Sequence, residues 1–150
     1  MKKLSLLAFL LCIFQFSGFA QVSESMIIGV WTPGHGKARV QIEKIKDKYY
    51  GKTVWLKEPN DPTTGKPKVD VNNPEVSLRS RPRLGLTILK DFVYDGDGVF
   101  KDGTVYDPES GKTYCGKITI KSATTLDMRG SICSFKLLGR TDTWTKYNGK

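Results

Sequence analysis

The chain of 150 residues has one histidine, three cysteines and a shortage of acid, with 15 Asp and Glu against 24 Lys and Arg. Each scarcity excludes something. His35 stands between Gly34 and Gly36 in a turn-forming string, so no Ser–His or Cys–His relay is written in the sequence, and a turn role is expected. No Cys-x-x-Cys occurs, which removes thioredoxin-like redox chemistry, and two thiols with one histidine do not make a zinc site. After the first twenty residues no long apolar run follows, so no transmembrane segment is expected beyond the leader. Zinc-knuckle, RNP-like and basic-helix patterns are absent, so no nucleic-acid partner is expected. No cofactor and no metal are expected either.

The first residues supply the compartment. Met1-Lys2-Lys3 is a basic start, Leu4 to Phe16 an apolar core, and Gly18-Phe19-Ala20 a small-x-small ending. This reads as a secretory signal peptide over residues 1–20, cleaved after Ala20. Cys12 follows Leu11, so the lipoprotein pattern is missing. The expected product is an exported, periplasmic or extracellular chain with a single domain over residues 21–150. Loss of Lys2 and Lys3 takes the formal charge from +9 to +7. That surplus makes an anionic envelope surface a possible partner. Cys115 and Cys133 then remain as a pair, and in an oxidising compartment they are expected to form a disulfide.

Along the chain, period-two alternation dominates. Met26 to Trp31 is a short apolar run ended by Pro33-Gly34-His35-Gly36. In Lys37 to Ile45, Ala38, Val40 and Ile42 point one way and Arg39, Gln41 and Glu43 the other, as in a half-buried strand. Tyr49 to Leu56 continues as a strand, in which Gly51 marks a bulge or a close approach. Lys57 to Val69 carries too many prolines and glycines for a regular element. Asn73-Pro74 predicts one or two helical turns to Ser80, stopped by Pro82. Leu84, Leu86 and Ile88 then alternate into a strand through Tyr94. Gly103 to Tyr106, Lys112 to Lys121, Thr125 to Cys133 and Leu138 to Tyr147 complete about eight antiparallel strands. The hairpin turning near Ala123 and Thr124 brings Cys115 close to Cys133. Sequential hairpins favour an all-β, up-and-down antiparallel barrel with one long loop or short helix between two meanders.

The candidate site follows from the aromatics and the arginines. Trp31, Trp55, Tyr106 and Tyr114 lie on different strands and are taken as tentative ligand-binding residues. Arg79, Arg81 and Arg83 sit on alternate positions, aligned if the segment is extended and scattered if helical. A guanidinium grips carboxylate or phosphate in a bidentate manner, so Arg81 is expected near the mouth of the barrel, holding an anion. Asp70 with Asp107 is the one carboxylate pair considered for acid–base work, without a flanking signature. Asp95-Gly96-Asp97-Gly98 lacks the later oxygen ligand of a calcium loop and reads as a turn.

Several strings occur in a fixed order: Gly29-Val30-Trp31, Tyr50-Gly51-Lys52, Asp70 with Asn73-Pro74, Arg81-Pro82 with Leu84-Gly85, Tyr106-Asp107-Pro108, Gly111-Lys112-Thr113-Tyr114, and Gly139-Arg140-Thr141 with Trp144. Together they resemble the exported bacterial family called domain of unknown function 2147. The resemblance implies a lipocalin-like β-barrel and brings no established activity. Gly29-x-Trp31 is similar to the lipocalin strand that closes the barrel floor, which implies an arginine of the last strand, Arg140, over the Trp31 ring. Gly29, Arg140, Trp144, Asn73 and Pro82 are expected to be structural. The function expected is non-catalytic binding of a small amphipathic or anionic ligand held in or at the mouth of the barrel. The alternative is a basic envelope protein recognising an anionic glycan, lipid or protein, and an envelope enzyme is the least favoured reading.

Overall fold

The computed structural model describes residues 22–149, so the leader lies outside the described residues. Eight antiparallel strands pair in chain order and close on themselves: β1 (Gly29–Thr32), β2 (Ala38–Ile45), β3 (Lys48–Leu56), β4 (Thr87–Tyr94), β5 (Val99–Asp107), β6 (Lys112–Ile120), β7 (Thr125–Ile132) and β8 (Phe135–Lys146). The expected up-and-down barrel is the observed fold. Alternation explains the strands directly: Val40 and Ile42 of β2 are buried, while the residues between them face outward.

Up-and-down winding sorts the connections between two ends. At one end a 3-10 turn, Glu24–Ile27, forms a plug; the Ser23 side chain accepts the Ser25 N–H at its start. The Trp31 indole N–H donates to the Ile27 carbonyl at 2.7 Å, and Lys146 Nζ donates to the Met26 carbonyl at 2.8 Å. Above the plug lies a filled apolar core that includes Trp31, Val40, Ile42, Tyr49, Leu89, Phe92, Phe100, Leu126, Met128 and Trp144. Tyr49 meets Phe100 edge to face, with ring centroids 4.8 Å apart.

A row of glycines makes room for this core. Gly103 of β5 pairs with Gly116 of β6, which pairs with Gly130 of β7. The Phe92 ring lies where a Cβ on either Gly103 or Gly116 would stand. Gly51 works similarly: a Cβ there would be 2.7 Å from a Leu89 methyl, and the β3–β4 register shifts at the same residue. Both the bulge and the close approach expected at Gly51 are present.

Four expectations are corrected. The segment after Asn73 is no α-helix but a single 3-10 turn, Val76–Leu78, preceded by Glu75 without a side-chain cap. Asn73 Oδ1 accepts the Glu75 N–H at 2.9 Å, the capping bond expected of it, but the turn begins only at Val76. Leu84 and Leu86 precede β4, which begins at Thr87. The cation over the Trp31 ring is Lys146, at 5.2 Å, not Arg140. The reason is register: β1 meets β8 only at Trp31↔Lys146 and Thr32↔Thr145. Arg140 lies six residues up the strand, roughly 20 Å away along it, exposed and opposite Gly130. β5 and β8 also start earlier than expected, at Val99 and Phe135, with a register shift between Phe100 and Gly103.

The Cys115–Cys133 disulfide is formed, with Cα atoms 5.0 Å apart. Cys115 pairs in register with Ser131, which leaves Cys133 just beyond β7 and within reach. His35 is exposed in its turn, and its Nδ1 accepts the Lys37 N–H at 2.9 Å. Asp95 forms an ion pair with Lys101 at 2.7 Å beside its turn.

Candidate binding site

The long connection from Lys57 to Leu86 is organised by one buried carboxylate. Asp70 is wholly buried, and burial pushes its pKa up. Hydrogen bonds from Tyr106, Asn73 and Arg81 outweigh that and hold it below the ordinary carboxylate value. The Tyr106 hydroxyl donates to Oδ1 at 2.7 Å. On Oδ2, Asn73 Nδ2 donates at 2.8 Å, while Arg81 donates through Nε at 3.1 Å and Nη2 at 3.0 Å. Asn73 Nδ2 also reaches the Tyr106 oxygen at 3.1 Å. The Tyr106 pKa is raised by burial and by the adjacent Asp70 charge.

Tyr106 lies on the opposite face of β5 from Val105, and Val105 packs against the core. The connection is therefore strapped to the outer face of the barrel wall and does not cross its mouth, so Arg81 stands on that outer face and not at the mouth as expected. Its far side is tied to the β5–β6 turn. Asn72 Nδ2 donates to the Glu109 carbonyl at 2.7 Å, and Arg83 pairs with the Glu109 carboxylate at 2.6 Å. The Asn72 carbonyl sits where a Cβ on Gly111 would be, and Gly111 has φ +70°, so glycine is required there twice over.

All three arginines turn back onto this strap. Arg79 Nε donates to the Asn73 carbonyl at 2.7 Å and Arg83 Nε to the Val69 carbonyl at 3.1 Å, while Arg81 engages Asp70. Neither the aligned nor the scattered array occurs; the three are separate ties. Arg81 stays one-third exposed, and its Nη1 makes no hydrogen bond among the described residues.

Arg81 also lines a groove of about 590 Å³ between the strap and strands β3 and β4. Tyr50, Pro82, Leu84, Leu86 and Lys90 share it. Tyr50 is fixed by donating its hydroxyl proton to Asp91 Oδ1 at 2.9 Å. The groove combines an apolar strip with two cations, a fit for an amphipathic anion. Lys90 was not singled out from the sequence, and Tyr50 only as one of the strand aromatics and within the Tyr50-Gly51-Lys52 string. Both lie on regular strands, and only the strap's path over them makes them a site.

The other expected residues are dispersed. Tyr106 orients Arg81 through Asp70, and its ring lies 5.9 Å from the guanidinium. Tyr114 is half-buried and lines a second cavity of about 520 Å³ with Lys112, Ile132 and Cys133. Trp55 is half-buried, and Arg39 stacks between it (4.3 Å) and Tyr147 (3.6 Å). Trp31 is buried in the core. Asp107 is not joined to Asp70 in a dyad: its oxygens accept from the Glu109 N–H at 2.9 Å and the Ser110 hydroxyl at 2.6 Å, capping the turn.

Comparison with known proteins agrees with this architecture. The Helicobacter pylori protein HP1028, described as belonging to the lipocalin family, superposes with a TM-score of 0.69 at 25% identity; the match covers 81% of this chain and 83% of that one. No curated protein matches the chain. The family model for the "uncharacterized protein conserved in bacteria", DUF2147, matches residues 29–146, and the chain belongs to that family.

Proposed function

We propose that the protein is an exported, non-catalytic binding protein for a small amphipathic anion, held in the groove that Arg81 and Lys90 share with Pro82, Leu84 and Leu86. The observation that carries this reading is the posture of Arg81: a buried carboxylate fixes its guanidinium through Nε and Nη2, and the same side chain lines the groove. A cation oriented beforehand loses little freedom on meeting its ligand. The lipocalin-like barrel supports small-ligand binding as the general class. Asp70 is held ionised by three partners, which suits a structural anchor better than a proton carrier.

Export belongs to the same proposal. The signal-like residues 1–20 support it, with cleavage after Ala20 and a single domain from Gln21 onward. The Cys115–Cys133 disulfide supports it too, since such bonds persist in oxidising compartments.

Two measurements test the binding. Native mass spectrometry of protein purified from its own host is expected to show a co-purifying small acid. Titration with the amphipathic anion 1-anilinonaphthalene-8-sulfonate is expected to saturate, and Lys90→Glu, at an exposed position, to weaken binding at least about tenfold, the worth of one charge-assisted hydrogen bond. Equal binding by Lys90→Glu and Leu84→Asp would remove the groove as the site.

A further inference from the structure

The hairpin formed by β7 and β8 has an apolar tip that the barrel does not use. Ile132, Phe135, Leu137 and Leu138 are exposed by 46%, 54%, 82% and 56%, and Leu137 exceeds every other large apolar residue described. Core residues such as Phe92 and Leu126 are at 0%. Phe135 and Leu137 share one face of β8 and Leu138 takes the other, so the tip is apolar on both sides, as interaction surfaces often are.

The charges around it have one sign. From Met128 to Thr141 the chain carries Arg129, Lys136 and Arg140 and no acid. Lys112 joins them through the cavity it shares with Ile132 and Cys133. No ion pair involves Lys112, Lys136 or Arg140 among the described residues. Arg129 is spent locally, donating through Nη2 to the Leu137 carbonyl at 3.1 Å, which stiffens the hairpin.

Two further features hold the tip out. Cys133 is tied to Cys115, so the tip is already ordered and loses little freedom on docking. β1 pairs with β8 only at Thr145 and Lys146, so no neighbouring strand of β1 covers Phe135 to Leu138.

We infer that this hairpin is a membrane-docking element, seating Leu137, Leu138 and Phe135 in the interfacial zone of a bilayer that carries anionic lipid. Apolar side chains ringed by cations are the chemistry of interfacial binding, with the headgroups neutralising Lys136 and Arg140. A second copy of the chain fits less well, because it would bring like charges together. The surface is separate from the groove at Arg81, so the two can fail independently.

Sedimentation with vesicles made of equal parts phosphatidylglycerol and phosphatidylcholine tests it, using the mature, oxidised protein. Co-sedimentation is expected, weaker on pure phosphatidylcholine and weaker in high salt. Leu137→Asp, and separately Lys136→Glu with Arg140→Glu, are expected to weaken it on the order of tenfold or more. Near-ultraviolet circular dichroism confirms that each variant is folded. No co-sedimentation by the parent, or undiminished co-sedimentation by the folded Leu137→Asp variant, would overturn the inference. So would a concentration-dependent dimer that Leu137→Asp dissolves, which would assign the patch to a second copy.

Discussion

Tyr106 and Asp70, thirty-six positions apart, share a 2.7 Å hydrogen bond that joins the barrel wall to the strap laid over it. The bond carries a charge at its accepting end, and that oxygen has no access to water. Its loss therefore costs more than that of a neutral pair.

Asp70→Asn removes the charge and leaves the Arg81 guanidinium without its counter-ion. We expect a destabilisation of about 2–3 kcal/mol, and about 1 kcal/mol for Tyr106→Phe. Thermal melts followed by near-ultraviolet circular dichroism check both. An Asp70→Asn protein melting within a degree of the parent would show that the strap is held by other contacts.

The same carboxylate sets a pH dependence. Its pKa is lower folded than unfolded, so it stabilises the fold fully above the ordinary carboxylate range. That contribution is lost as pH falls from about 4 through the folded value. Urea midpoints measured from neutral pH downward should fall less steeply for Asp70→Asn than for the parent. Parallel curves would count against the assignment.

Glycine is required under Phe92. Gly116→Ala puts a methyl group into the Phe92 ring and is expected to cost about 1–3 kcal/mol by overpacking. Combining it with Phe92→Leu should recover part of that loss, a coupling readable from a double-mutant cycle in denaturant. Additive effects would mean that the two groups do not touch.

The disulfide closes a short loop, with Cys115 and Cys133 eighteen positions apart. Reduction, or Cys115→Ser with Cys133→Ser, is expected to lower stability by about 3 kcal/mol. Melts with and without reductant measure it, and identical curves would refute it.

Much of the barrel could be read from local pattern, because a half-buried strand writes its own alternation, as in Val40 and Ile42, and turns write their glycines at Gly96, Gly98 and Gly111. The disulfide was legible for a similar reason: one hairpin turn fixes which residues face each other. Long-range placement was not. Asp70 looks like any loop aspartate until Tyr106 and Arg81 surround it, and Asn73-Pro74 resembles a helix start although Asn73 spends its side chain on its own turn and on Asp70. Lys146 rather than Arg140 covers Trp31 because the β1–β8 register sets Lys146 opposite it, a pairing that no single residue announces.

That pairing is also short, with a mechanical consequence. The other seven seams of the cylinder carry three or more register pairs each, whereas the seam between β1 and β8 is closed by two and the Tyr147 N–H to the Val30 carbonyl at 2.8 Å. A ring parts where its ladder is shortest. Hydrogen exchange should find the amides of Thr32 and Tyr147 released ahead of those between β6 and β7, and a breathing barrel would admit solvent sideways, through its wall.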